Sequence, residues 1–247
     1  MAYANNLDQA IEGFYSAFAG YPLPKFTDPC MHCHSFEEEL KVHAQPLREL
    51  DLEHLRDYAV DALNVWGDLD VFKHFLPRIF DLVANLPDPS SSLIDTEIQF
   101  GKLRHGDLRT WPKAEQNAVE SFLHAVWKGV LNDPPLDDSY ADVECWICSI
   151  GQCEEALGPY LREWIEDERP SAILALSSFL RTSAILREGR TGWNAFWKGR
   201  EAQYMQLQEW ARSSAVIAKL RNAETRFRGS EIAAELALAR AICSGPE

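Results

Sequence analysis

The stretch Asp51 to Leu86, DLEHLRDYAVDALNVWGDLDVFKHFLPRIFDLVANL, reads as two amphipathic helices joined by a tight Gly67-Asp68 turn. In the first, Leu52, Leu55, Tyr58, Ala59, Ala62, Leu63 and Trp66 recur at helical intervals on one stripe, opposite Glu53, Arg56, Asp57 and Asp61. Gly67 tolerates the left-handed backbone that ends a helix, and Asp68 or Asp70 can cap the next. The second helix gathers Val71, Phe72, Phe75, Leu76, Ile79, Phe80 and Val83 on its buried side. So short a connection makes the two helices antiparallel neighbours. Pro77 lies inside the second helix, where it removes a hydrogen bond and presses on the carbonyl of Lys73, so a kink is expected. His74 and Arg78 are four apart and share a face. They read either as a small anion or carboxylate site or, the preferred reading, as a polar seam that satisfies the kink.

The pattern repeats outward. Leu7 to Ala19 is an amphipathic helix with Ile11, Phe14, Tyr15 and Phe18 inward, and Pro22, Pro24 and Pro29 keep the next segment extended or turned. Ser35, with Glu38 three residues on, opens an acidic helix through a capping box. Asp95 to His105 alternates like a strand at Ile98 and Phe100 but reads better as a short helix, and Trp111-Pro112 starts a long one. Further helices are expected over 139–150 and 154–165, broken near Gly151, then from Pro170 to about Gly189, then over 191–227 as the longest, and finally after Ser230. The fold class is therefore all-α: antiparallel helical hairpins packed as a HEAT-like or irregular multi-helix bundle. The expectation is one domain over 1–247, with a sub-boundary near 87–92 in the LPDPSSS segment.

Hydrophobic content of 46% and charged content of 25% are ordinary for a soluble globular chain of 247 residues. A net charge of −14 argues against nucleic acid or an anionic membrane as partner and favours a basic protein. The most apolar run, Ala172 to Leu186, is interrupted by Ser177, Ser178, Arg181 and Thr182 and falls short of a membrane span. No export signal is read at the start, so the expected location is the cytoplasm, where six sparse Cys would stay reduced.

Pro29-Cys30-Met31-His32-Cys33-His34 is the sharpest candidate for chemistry. A Cys-x-x-Cys spacing lets two thiolates converge on a tetrahedral zinc, for which His34 or His43 would supply a third ligand. Cys145-x-x-Cys148 would complete a four-Cys set if the fold brought the pairs together, across a gap much longer than in zinc ribbons. The same spacing also suits a redox pair, since the Ser35 cap puts both thiols just before a helix start. The plain alternative is two ordinary thiols packed over the hairpin, and Cys145, Cys148 and Cys153 read as core fillers. Glu-rich segments such as Glu166-Asp167-Glu168 read as solvated helix ends, and no His-Glu-x-x-His, P-loop, Gly-x-Gly-x-x-Gly or Gly-x-Ser-x-Gly motif occurs.

PCMHCH, PLREL, WGD and HFLPR together resemble an uncharacterised family of bacterial all-helical proteins with an N-terminal P-C-x-H-C segment, over roughly the first third of the chain. That resemblance implies no activity. Helix hairpins with an internal Pro also resemble units of HEAT-type repeats, which implies a curved binding surface. The functional expectation is a non-catalytic helical protein that binds a macromolecule or serves as a scaffold. The alternative is a metal- or thiol-dependent enzyme that uses the Cys30/Cys33 loop.

Overall fold

The computed structural model describes residues 2–85, 94–132, 143–186 and 194–244. Among these the chain forms twelve α-helices and no strand, so the all-α expectation holds. The helices are α1 (Ala2–Phe18), α2 (Phe36–Val42), α3 (Leu52–Asp61), α4 (Leu69–Ala84), α5 (Thr96–His105) and α6 (Lys113–Asn132). They continue with α7 (Val143–Cys153), α8 (Gly158–Glu166), α9 (Pro170–Thr182), α10 (Glu201–Ala211), α11 (Ser214–Arg226) and α12 (Glu231–Ser244). Among the described residues no helix is long and apolar enough to cross a membrane. The chain divides into two compact units, Met1–Val126 and Trp127–Glu247. The 87–92 segment, where a sub-boundary was expected, lies outside the described residues.

The first unit is built on aromatic packing. Phe14 of α1 stacks on Phe80 of α4 at 5.6 Å between ring centroids, and Phe122 of α6 lies 5.4 Å from Phe14 and 5.3 Å from Phe80. Phe100 of α5 adds a fourth ring 5.1 Å from Phe80. Such offset and tilted contacts add to the area these rings remove from water. Asp68 caps α4 through the N–H groups of Asp70 and Val71, and Gly67 takes φ +72°, as its position before the cap requires. Every residue assigned to the buried side of α4, including Phe75, is buried.

The hairpin differs in its first arm. The periodicity carries the helix to Trp66, but α3 ends at Asp61. Ala62 leaves helical conformation, Leu63 takes a left-handed φ of +66°, and Trp66 enters short bridges with Pro29 and Ala62. Trp66 remains fully buried, so the apolar side was read correctly and the backbone was not. A tertiary pairing outcompeted the local helical pattern. Its loose end is closed by α5: Lys102 Nζ donates to the carbonyls of Val60 at 2.8 Å and Ala62 at 2.6 Å, and Gln99 donates to Ala59 O at 2.9 Å. A helix C-terminus exposes orphan carbonyls and a partial negative charge, which a buried cation satisfies together.

The second unit uses the same device twice. Arg200 donates through Nε to Gly151 O and through Nη2 to Glu154 O, each at 2.6 Å, at the end of α7. Lys219 reaches Ile165 O at 3.0 Å and Asp167 O at 2.8 Å, at the end of α8. Its aromatic centre is Trp164, 5.3 Å from Trp127 and 5.1 Å from Trp210. Gly151 does not break a helix as expected. It sits within α7, where a Cβ would lie 2.6 Å from the Trp197 ring, and the break falls over 154–157. The single long helix expected over 191–227 is two, α10 and α11, divided at Ser213, which caps α11 by accepting from Val216 N. Within 194–200 the chain makes a 3-10 turn and a left-handed Gly199. Periodicity does not register such a break when the apolar stripe resumes beyond it.

Candidate functional site

The expected capping box forms: Ser35 accepts from Glu38 N, and Glu38 in turn accepts from Ser35 N at 2.6 Å. The resulting α2 is short, seven residues, and buries Glu39 together with Val42. Glu39 is only 1% exposed, whereas Phe36 is 57% and Leu40 52% exposed. A buried carboxylate beside exposed large apolar side chains is the informative departure from ordinary burial.

Glu39 is buried because it ties the loop down. Its carboxylate accepts from Thr27 N at 2.7 Å, is bonded to the Thr27 hydroxyl, and lies 2.9 Å from His43 Nε2. Trp66 Nε1 donates to the same Thr27 Oγ1 at 2.7 Å. The loop is then pinned at Pro29, bridged to Trp66, and at Cys30, whose N–H donates to Val65 O at 2.8 Å. Asp28, just before Pro29, takes a left-handed φ of +58°. Non-glycine residues hold that conformation only where the surroundings over-determine it.

On this anchored base Cys30 to Cys33 form a hydrogen-bonded turn, with Cys33 N and His34 N donating to Cys30 O at 2.8 and 2.9 Å. Both cysteines are exposed. The backbone N–H groups of His32 and then Cys33 hold the Cys30 thiol below its ordinary range, with the Cys33 thiol adding to them. Cys33 moves the other way: its interaction with the Cys30 thiol raises it first, followed by desolvation and by the negative charges of Cys30 and Asp61. One thiol is thereby made the better thiolate and its neighbour the better proton holder.

The residues proposed as metal ligands are dispersed. The His34 ring lies tilted against Trp66 at 4.5 Å between centroids, with Nε2 3.1 Å from Asp61 Oδ2 but neither ring nitrogen in a hydrogen bond. His43 is engaged by Glu39. Cys145 and Cys148 belong to α7 of the second unit, with Cys148 buried and Gln152 Nε2 3.7 Å from its sulfur. Among the described residues no group of three or more His, Cys, Asp or Glu side chains is placed to hold a metal ion.

His74 and Arg78, expected to satisfy the kink at Pro77, bond instead to carbonyls other than the one Pro77 frees. His74 Nδ1 lies 2.7 Å from Tyr21 O, and Arg78 donates to Leu50 O at 2.6 Å and to Asp81 at 2.7 Å. Burial keeps the His74 imidazole below its ordinary range and therefore neutral near pH 7, which suits a backbone carbonyl better than an anion.

Sequence reasoning missed Thr27, Glu39 and Asp61. Glu39 and His43 stand at the i,i+4 helical spacing, which was a usable signal for that pair. Asp61 carried none, since it sits among ordinary polar-face residues.

Comparison with known protein families, with curated proteins and with solved structures finds no match to this chain.

Proposed function

We propose that this chain is a non-catalytic protein-binding module whose contact face is the exposed side of α2 and the loop beside it. The exposed apolar pair on α2 carries this reading. Glu39 is committed inward to the loop, so Phe36 and Leu40 are left on the outside, one helical turn apart. Met31 in the turn and Val65, whose carbonyl holds Cys30, are also exposed. Clustered exposed apolar side chains mark interaction sites far more often than scattered ones do.

The charge around them selects the partner. Residues 26–66 carry nine Asp or Glu against three Lys or Arg. The complementary partner is a protein segment that presents apolar side chains among Lys and Arg, and neither nucleic acid nor an anionic membrane fits. The sparse cysteines favour placement in the cytoplasm.

The test uses a set of basic amphipathic peptides and a matched acidic set, with binding measured on the full chain. Binding restricted to the basic set, weakened at least about tenfold in a Phe36→Ser/Leu40→Ser variant with unchanged helical circular dichroism, supports the reading. Binding to neither set, or binding indifferent to that variant, overturns it.

A further inference from the structure

We propose that Cys30 and Cys33 form a reversible dithiol–disulfide couple that exchanges with external disulfides, Cys30 attacking and Cys33 resolving. The couple stands independently of the partner reading above.

The turn supplies the first requirement. Its Cys33 N to Cys30 O hydrogen bond of 2.8 Å closes a four-residue turn, and turns of that kind bring their end Cα atoms within the span a disulfide needs. Access is the second requirement, and both residues are exposed. The third is a backbone that keeps the two sulfurs in register. Thr27, Pro29, Cys30 and His34 are each tied to Glu39, Trp66, Val65 or Asp61, so the exposed turn is held from both ends. A thiol pair left exposed by chance needs no such support.

The two thiols are also unequal. Hydrogen bonding from the His32 and Cys33 backbone lowers the Cys30 thiol, whereas the Cys33 thiol is raised. Attack on a disulfide requires a stabilised thiolate, which the turn supplies at Cys30. The step balances. The Cys30 thiolate bonds to one sulfur of the external disulfide and expels the other as thiolate. Cys33 then gives up its proton and attacks the Cys30 sulfur, closing the internal disulfide and expelling the second external thiolate. Two thiol protons end on the two expelled thiols. The external disulfide is reduced and the pair is oxidised.

Oxidised glutathione serves as the probe, on the reduced full chain after its zinc content has been measured. In the unsubstituted chain the expected product is an internal Cys30–Cys33 disulfide with two glutathione thiols released, seen by acid quenching and peptide mass mapping. Cys33→Ser should stop at a stable glutathione adduct on Cys30. Cys30→Ser should form its adduct on Cys33 at least about tenfold more slowly, since the attacking thiolate is lost. A stable adduct on the unsubstituted chain with no internal disulfide overturns the couple. So does a bound zinc equivalent that closes both thiols to glutathione. Equal rates for the two variants overturn the order of attack.

Discussion

Cys30-x-x-Cys33 in the first unit and Cys145-x-x-Cys148 in the second share one spacing and meet opposite surroundings. The first pair occupies an exposed turn closed by hydrogen bonds from Cys33 N and His34 N to Cys30 O. The second occupies consecutive turns of α7, with Trp146 and Ile147 between its members and Cys148 fully buried. Cys153, one turn further, donates to Ile150 O at 3.4 Å, as a thiol inside a helix does. The difference lies in what precedes each pair. Three prolines before Cys30 forbid a helix there, and the turn that results leaves both thiols exposed. In α7 the helix carries Cys148 into the core. Spacing alone thus names a possibility, and the local backbone decides whether the thiol acts as a reactive group or a small hydrophobe.

The largest expected effect comes from removing the support beneath the first pair. Trp66→Ala should cost roughly 3–5 kcal/mol in denaturant unfolding, as for large buried aromatics generally, and Phe75→Ala a similar amount. Trp66→Ala should in addition erase the difference in alkylation rate between Cys30 and Cys33, because the indole holds Thr27 and His34. Phe75→Ala should leave that difference in place. If both variants behave alike, the turn is not held from below in the way described.

The same substitution made in both pairs gives a smaller, sharper contrast. Cys148→Ser places a hydroxyl in a fully buried site and should cost about 1–3 kcal/mol. Cys33→Ser, on the exposed turn, should stay within about 0.5 kcal/mol of the unsubstituted chain. Equal costs measured by chemical denaturation would contradict the assignment of one pair to the surface and the other to the core.

The helix ends offer a third comparison. Burial brings Lys102 down from 10.5 to about 8, with Asp61 opposing the shift. A lysine with a depressed folded value binds fewer protons in the folded state than in the unfolded one. Stability therefore rises as pH increases from about 8 toward 10.5, and the penalty is fully present below about 8. Lys102→Met should flatten that rise. Near pH 7 its net effect should stay within about 2 kcal/mol, because relief from the buried charge offsets the loss of the Val60 and Ala62 hydrogen bonds. An unchanged slope in the variant would place the titration elsewhere.

Much of this architecture was legible in the sequence. The apolar stripe of α4, the Asp68 cap, the Ser35–Glu38 box and the inward face of α1 follow from local spacing, and the structure has them. What escaped was set by distant partners. Trp66 left its helix for Pro29, Gly151 stayed in a helix to admit Trp197, and α10 and α11 separated at Ser213. The site was half legible for the same reason. Cys30 and Cys33 announced themselves by spacing, whereas Thr27, Glu39 and Asp61 acquire roles only once the chain brings them to the turn.

The most direct test is native-state labelling of all six cysteines with a neutral alkylating reagent near pH 7, read residue by residue by mass spectrometry. Cys30 should react first and Cys33 more slowly, while Cys148 and Cys153 stay unlabelled until the chain is unfolded. Labelling of Cys148 at the rate of Cys30, or a Cys30 no faster than Cys33, would contradict the account.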